Sequence, residues 1–176
     1  MSRTKKPEND DIFENGFDPI RRVVWLVGDI DMASITRAMK GLTILDKMSA
    51  EPITLVINSD GGDMVQGFAL IDTIHSSRSH IIGSVMGAAS SAAFVILQCC
   101  NSREAGKHSV LMTHAGNRET DFDLKIDLLA DEIVLKRMQK IKKDTTMAKL
   151  QKWQSMDRYM LAEDAVTLGL LDWVRP

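Results

Sequence analysis

The stretch IIGSVMGAASSAAFVILQCC, residues 81–100, decides how this chain is read. It lies inside a longer interval, Arg78 to Arg103, that contains no Lys, Arg, Asp or Glu. An apolar run of that length can cross a bilayer, which takes about 20 residues. The residues inside it argue for another fate. Gly83, Ser84, Gly87, Ser90, Ser91 and Gln98 interrupt it, and the segment from Gly87 to Ala93 is built of small side chains. The reading is a buried strand over Ile81–Met86, a sharp turn, and a buried helix over Ser91–Cys99.

The flanks repeat that grammar. Val23–Val27 is a short apolar run that stops at Gly28, a second buried strand. Residues 31–48 place Ile35, Ala38, Met39, Leu42 and Leu45 at helical spacing, with Asp31 or Ser34 as cap. Pro52 opens the strand Ile53–Ile57, which ends in the turn cluster Asn58-Ser59-Asp60-Gly61-Gly62. Helical spacing resumes over 63–76. A further strand is expected at Val110–Met112. Phe122, Leu124 and Ile126 alternate with Asp and Lys, which predicts an extended segment; helix is expected from about Asp127. Ala162–Leu168 reads as a helix closed by Gly169, and Leu170–Val174 as a last strand. Strands alternating with helices predict an α/β domain with largely parallel pairing.

Composition narrows the function classes. The chain has 176 residues, 44% hydrophobic and 26% charged, and a formal net charge of −2. That is one domain with an ordinary soluble composition, burying about 70% of its unfolded surface. No basic footprint for nucleic acid or a membrane surface is present. Aromatic residues are 5%, too few for a base-stacking surface. The two cysteines, Cys99 and Cys100, are adjacent and build no disulfide framework. Residues 1–20 are polar, with Pro7, Asn9, Asp10 and Asp11, and are expected to form a mobile N-terminal arm; 21–176 form the single domain. The first residues hold no apolar segment, so no secretory signal is expected and the location expected is cytoplasmic.

Three features can carry chemistry. The turn Gly87–Ala93 sets serines between a buried strand and a buried helix. A serine there is open to a substrate backbone and lies beside free helix N–H groups. Ser90 and Ser91 both have alanine two residues away, so spacing does not choose between them. The second feature is Asn58–Gly62, whose paired glycines can leave N–H groups exposed for an oxyanion. The third is His114, directly after the fourth apolar strand, a candidate base by its near-neutral pKa. His75, His80 and His108 have polar surroundings and read as solvated. No residues show metal-ligand spacing, no glycine loop matches a nucleotide fingerprint, and no cofactor is expected.

Taken in order, INSDGG (57–62), GFALIDTI (67–74), VMGAASSAA (85–93), the LMTH ending at His114, and MDRYMLAEDAVTLGLLD (156–172) resemble ClpP, the proteolytic subunit of the Clp protease. The resemblance runs from about Arg22 to Val174. It implies the ClpP/crotonase-like fold, a superhelix of repeated β-β-α units with a protruding handle, here about 117–143, whose helix would cover 127–142. It implies that the nucleophile is Ser91, four places after Gly87; that the base is His114; and that the acid is Asp157, before the aromatic and the tail. The oxyanion donors would be the backbone N–H groups of Gly62 and Ala92. The implied activity is serine endopeptidase hydrolysis of unfolded proteins inside stacked rings, with heptamers forming a tetradecamer, alongside a Clp-family ATPase.

Three departures from the family pattern bear on that expectation. Asp60 replaces a proline before the glycine pair. Ala92 replaces the methionine after the nucleophile. The segment Ala115-Gly116-Asn117 lacks the proline and full glycine pair of the strand that binds substrate. Asp60 and the segment after His114 motivate a second reading, a weakly active or inactive ring subunit with a structural or regulatory role; Ala92 still offers its N–H. A third keeps the fold but takes acyl thioesters, as in the related crotonase superfamily; the triad serine argues against it.

Overall fold

The computed structural model describes residues 15–116 and 118–176. In chain order the elements are β1 (Phe17–Asp18), β2 (Val23–Val27), α1 (Met32–Met48), β3 (Ile53–Ser59), α2 (Met64–Ser76), β4 (Ile81–Ser90), α3 (Ala92–Cys99), β5 (Ser102–Gly106), β6 (Val110–Thr113), α4 (Asp121–Met138), α5 (Met147–Trp153), β7 (Arg158–Leu161), α6 (Ala162–Thr167) and β8 (Trp173–Arg175). One sheet runs β1-β2-β3-β4-β5-β8; β6 joins it through β4, and β7 through β6. The pairs β2–β3, β3–β4, β4–β5, β4–β6 and β5–β8 are parallel. Parallel neighbours need crossovers, which the helices supply. Among the described residues only β1–β2 and β6–β7 are antiparallel. Successive helices touch in a chain, α1 to α2, α2 to α3, α3 to α4 and α4 to α5.

The stretch at 81–100 is a strand, a turn and a helix. Every residue of α3 is buried, from Ala92 to Cys99, which is why it reads as continuously apolar. Among the described residues no helix is long and apolar enough to cross a membrane. The strand is longer than its apolar run. Met86 and Gly87 belong to β4, which continues through the small residues to Ser90.

That continuation makes β4 fork. Its first half pairs with β5, Ile82 to Val85 opposite Ser102 to Ala105. Its second half pairs with β6 instead, Ala88 to Ser90 opposite Val110 to Met112. On the other side the β3–β4 register shifts between Ile57 and Ser59. Gly87 sits at the fork with φ +106, a conformation suited to glycine. A side chain there would collide with Asn58, whose Oδ1 accepts the Ala88 N–H at 3.0 Å. Ser109 spans the gap: its Oγ accepts the Gly87 N–H at 3.4 Å and donates to Val85 O at 3.0 Å.

Several elements depart from the sequence expectation, each for a physical reason. The extended segment expected at 121–127 forms about the first two turns of α4. Thr120 caps it: its Oγ1 accepts the Asp123 N–H, and Asp123 returns a bond to the Thr120 N–H. This capping box outweighs a short alternation. No apolar run or alternation marks β5 as a strand, because its sequence, SREAG, carries charge into the sheet. Arg103 is 3% exposed and donates to Asp172 Oδ1 at 2.6 Å; Glu104 accepts from Ser84 Oγ at 2.7 Å and Trp173 Nε1 at 3.0 Å. Charges are buried this way only when paired.

The last strand is Trp173–Arg175, shorter than the expected run from Leu170, which contributes Leu170 and Leu171 to the core. Residues 1–14 of the expected arm, with Asp11, Ile12 and Phe13, lie outside the described residues. From Phe17 the chain is joined to the sheet instead, because Phe17 and Asp18 pair with Val24 and Val23.

Candidate active site

The fork of β4 delivers Ser91 to the surface between strand and helix. Its backbone is held from three directions. The N–H donates to Met112 O on β6 at 3.0 Å, the carbonyl accepts from Val95 N at 3.2 Å, and Ser91 itself is the N-cap of α3. Its φ is +52 and ψ −122. An L-residue held there costs about 1–3 kcal/mol and persists only when its surroundings impose it. Ser91 makes no capping bond with its side chain. The hydroxyl is directed elsewhere: Ser91 Oγ lies 2.9 Å from His114 Nε2. Ser90, the other serine the spacing allowed, is 6% exposed and pairs in register with Met112.

His114 follows the last residue of β6 and is half-buried. With its proton on Nδ1, the ring can accept the serine proton at Nε2. The neighbouring Thr113 is fixed from behind by Gln154 Nε2, which donates to Thr113 Oγ1 at 2.7 Å. The chain beyond is held by Ala115 N–H donating to Gln154 O at 3.1 Å. His75, His80 and His108 are exposed.

The Asn58–Gly62 turn comes to the same place. Gly61 packs so tightly on Ser91 that a Cβ there would lie 2.7 Å from Ser91 Cβ and 2.9 Å from Ser90 O. Gly61 has φ +106 and Gly62 φ +143, and Ile30 clamps the pair by donating to Gly61 O and accepting from Asp63 N, both at 2.8 Å. This leaves the Gly62 N–H with no acceptor among the described residues. The Ala92 N–H, in the first turn of α3, is likewise free, as first-turn donors are. Asp60 is exposed and makes no hydrogen bond or ion pair among the described residues.

Asp157 is placed differently. The antiparallel β6–β7 ladder ends at Thr113 opposite Arg158, so His114 and Asp157 are the next residues outward on the two strands. The Asp157 side chain is nevertheless exposed and makes no hydrogen bond to His114 or to any other described residue. Ser91 and His114 are in contact; Asp157 is adjacent in topology but unengaged.

A cavity of about 440 Å³ opens beside Ser91 and His114, lined also by Gly62, Ala92, Val95 and residues of α4. Its α4 wall contains Asp127 and Asp131, 7% and 2% exposed. Asp127 Oδ1 accepts the Gly116 N–H at 2.7 Å and its Oδ2 accepts from Arg118 Nε; Arg118 also donates to Asp131 Oδ2 at 3.2 Å. Burial, reinforced by the Asp127 charge, holds the Asp131 carboxyl above the usual carboxylate range. The segment after His114 is thus tied back onto α4. Sequence reading missed this pair. The signal was present: Asp127 and Asp131 fall on the same helix face as the buried Val134 and Met138.

The cysteines offer no competing nucleophile. Both are free and buried, and burial pushes the Cys99 thiol up to about 11 and Cys100 to about 12. Among the described residues no group of His, Cys, Asp and Glu could hold a metal ion.

The family model for Clp protease matches residues 6–175. The chain belongs to the Clp protease family. Among curated relatives it is similar to the ATP-dependent Clp protease proteolytic subunit 3 of Synechococcus sp. (strain CC9902), 28% identical over 165 residues, covering 88% of this chain and 82% of the relative. Among solved structures it is similar to the ClpP protease catalytic domain from Plasmodium falciparum, with a TM-score of 0.82 at 23% identity, covering 99% of this chain and 95% of that one. The fold is therefore the Clp protease fold expected from the motifs. In this Clp family member the turn bearing Ser91 and the strand leading to His114 stand together.

Proposed function

We propose that the chain is a serine endopeptidase of the Clp type. The observation that carries the proposal is the 2.9 Å contact between Ser91 Oγ and His114 Nε2 on a backbone held at positive φ. In this reading Ser91 Oγ attacks a peptide carbonyl as His114 takes its proton. The carbonyl oxygen gains negative charge in the space beside the Gly62 and Ala92 N–H groups; each such donor contributes about 2.7–4 kcal/mol to the transition state. His114 then returns the proton to the leaving amine. Water, deprotonated by His114, cleaves the acyl-enzyme and frees Ser91. Asp157 holds the imidazole tautomer once its carboxylate turns to Nδ1. We extend the reading to assembly: stacked rings would enclose the site, and a Clp-type ATPase would deliver unfolded chains.

A fluorophosphonate probe tests the chemistry directly. It is expected to label the assembled wild-type protein and to leave Ser91→Ala unlabelled, read by intact-mass spectrometry. A folded, assembled wild type that takes no label overturns the proposal. One observation favours a second reading, an inactive ring subunit: the exposed Asp157 makes no bond to His114. That subunit would assemble with an active partner and show no labelling of its own.

A further inference from the structure

The cavity beside Ser91 has two kinds of lining. Val95, Ile126, Ala130 and Val134 contribute apolar surface. Asp127 and Asp131, on the same helix as the last three, add carboxylates to the lining, and no Lys or Arg is among the lining residues. Asp63 and Asp123 also line it, but their carboxylates are engaged in capping α2 and α4. Among the described residues Arg118 is the cation that meets Asp127 and Asp131, so two carboxylates face one guanidinium. Asp131 has one further donor, Gln151 Nε2 at 3.3 Å, which brings no charge.

A second, independent observation points to a missing donor. Gln154 lines the same cavity and is 3% exposed. Its Nε2 is spent on Thr113, and its Oε1 has no hydrogen-bond partner. Buried acceptors left without a donor are costly and uncommon. A long side chain with an apolar stem and a cationic tip matches both kinds of lining: the stem lies on Val95, Ala130 and Val134, and the tip brings donors and positive charge. The cavity adjoins Ala92 and Gly62, which would hold the reacting carbonyl, so the side chain closest to it belongs to the residue that supplies that carbonyl.

We infer that this cavity is a specificity pocket for lysine or arginine on the acyl side of the scissile bond. The inference rests on the serine-peptidase reading for its orientation, but it is tested by binding. Ser91→Ala protein would be titrated by calorimetry with acetylated, amidated peptides identical except for Lys, norleucine or Glu at that position. Lys is expected to bind about tenfold or more tightly than norleucine, as close charge pairs in desolvated sites do, and Glu weakest. Asp131→Asn, which keeps the shape of the side chain, is expected to narrow the Lys–norleucine gap to about threefold or less. Norleucine binding as well as Lys, an unchanged gap in a folded Asp131→Asn protein, or no binding of any peptide overturns the inference. The Lys–norleucine comparison needs no variant of the pocket, so it stands even if Asp131→Asn misfolds. Fluorophosphonate labelling is scored separately: a labelled enzyme with no Lys preference sinks the pocket alone, and an unlabelled protein that prefers Lys sinks the chemistry alone.

Discussion

Ser91→Ala is expected to lower kcat for a fluorogenic peptide by about 10⁴–10⁶ while changing KM by no more than a few-fold. The reason is that the hydroxyl is the group at which the acyl bond would form, whereas the walls that bind the peptide are made by other residues. The substitution removes one oxygen and its contact with His114. Alanine inherits the same positive φ, so the backbone cost remains and the fold changes little. Thermal unfolding of the variant, followed by circular dichroism, should therefore overlay that of wild type to within a few degrees. Steady-state kinetics on the assembled protein checks the rate. Retention of wild-type kcat would remove Ser91 from the reaction.

The second large effect is expected at Asp157. Asp157→Asn should lower kcat by about 10⁴ through the wrong imidazole tautomer, since an amide can donate where the carboxylate must accept. The same change should leave stability within about 0.5 kcal/mol, because the side chain is exposed and bonds to nothing described. That separation makes the result informative. A residue with no structural contacts can lose activity only by being needed when substrate is bound. Parallel measurement of kcat and of the urea midpoint checks both halves. A loss of less than tenfold would show that His114 works on Ser91 without a third member.

Much of this was legible in the residues. Ile81–Met86 and the fully buried α3 announce themselves as apolar runs, and Asp31 with Ser34 writes a capping box, each side chain bonding to the other's N–H. The site was legible because its parts sit at strand ends, where turn-forming residues stand out: Gly61-Gly62 after β3, Ser91 after β4, His114 after β6. What stayed hidden was whatever depends on pairing across the chain. β5 buries Arg103 and Glu104 against partners in β4 and the last residues, so no local pattern marks it as a strand. Asp127 and Asp131 share the helix face of Val134 and Met138, but their ion pairing shows only once Arg118 is known to reach them. The state of Asp157 is a matter of side-chain direction, which the ladder's register does not dictate.

The split in β4 has a consequence for how such an enzyme would fail. The half of the strand that pairs with β5 lies in the continuous sheet, while the half that carries Ser91 leans on β6, itself supported on its other edge by the four-residue β7. His114 and Asp157 lie just past the end of that small flap. Short ladders at the rim open more readily than central ones. Warming or mild denaturant is expected to silence hydrolysis first and melt the remaining scaffold later, with amides of β6 and β7 exchanging with deuterium ahead of those in β2 and β3. Activity and foldedness would then be two separate properties of one chain, and a quiet sample would not be a denatured one.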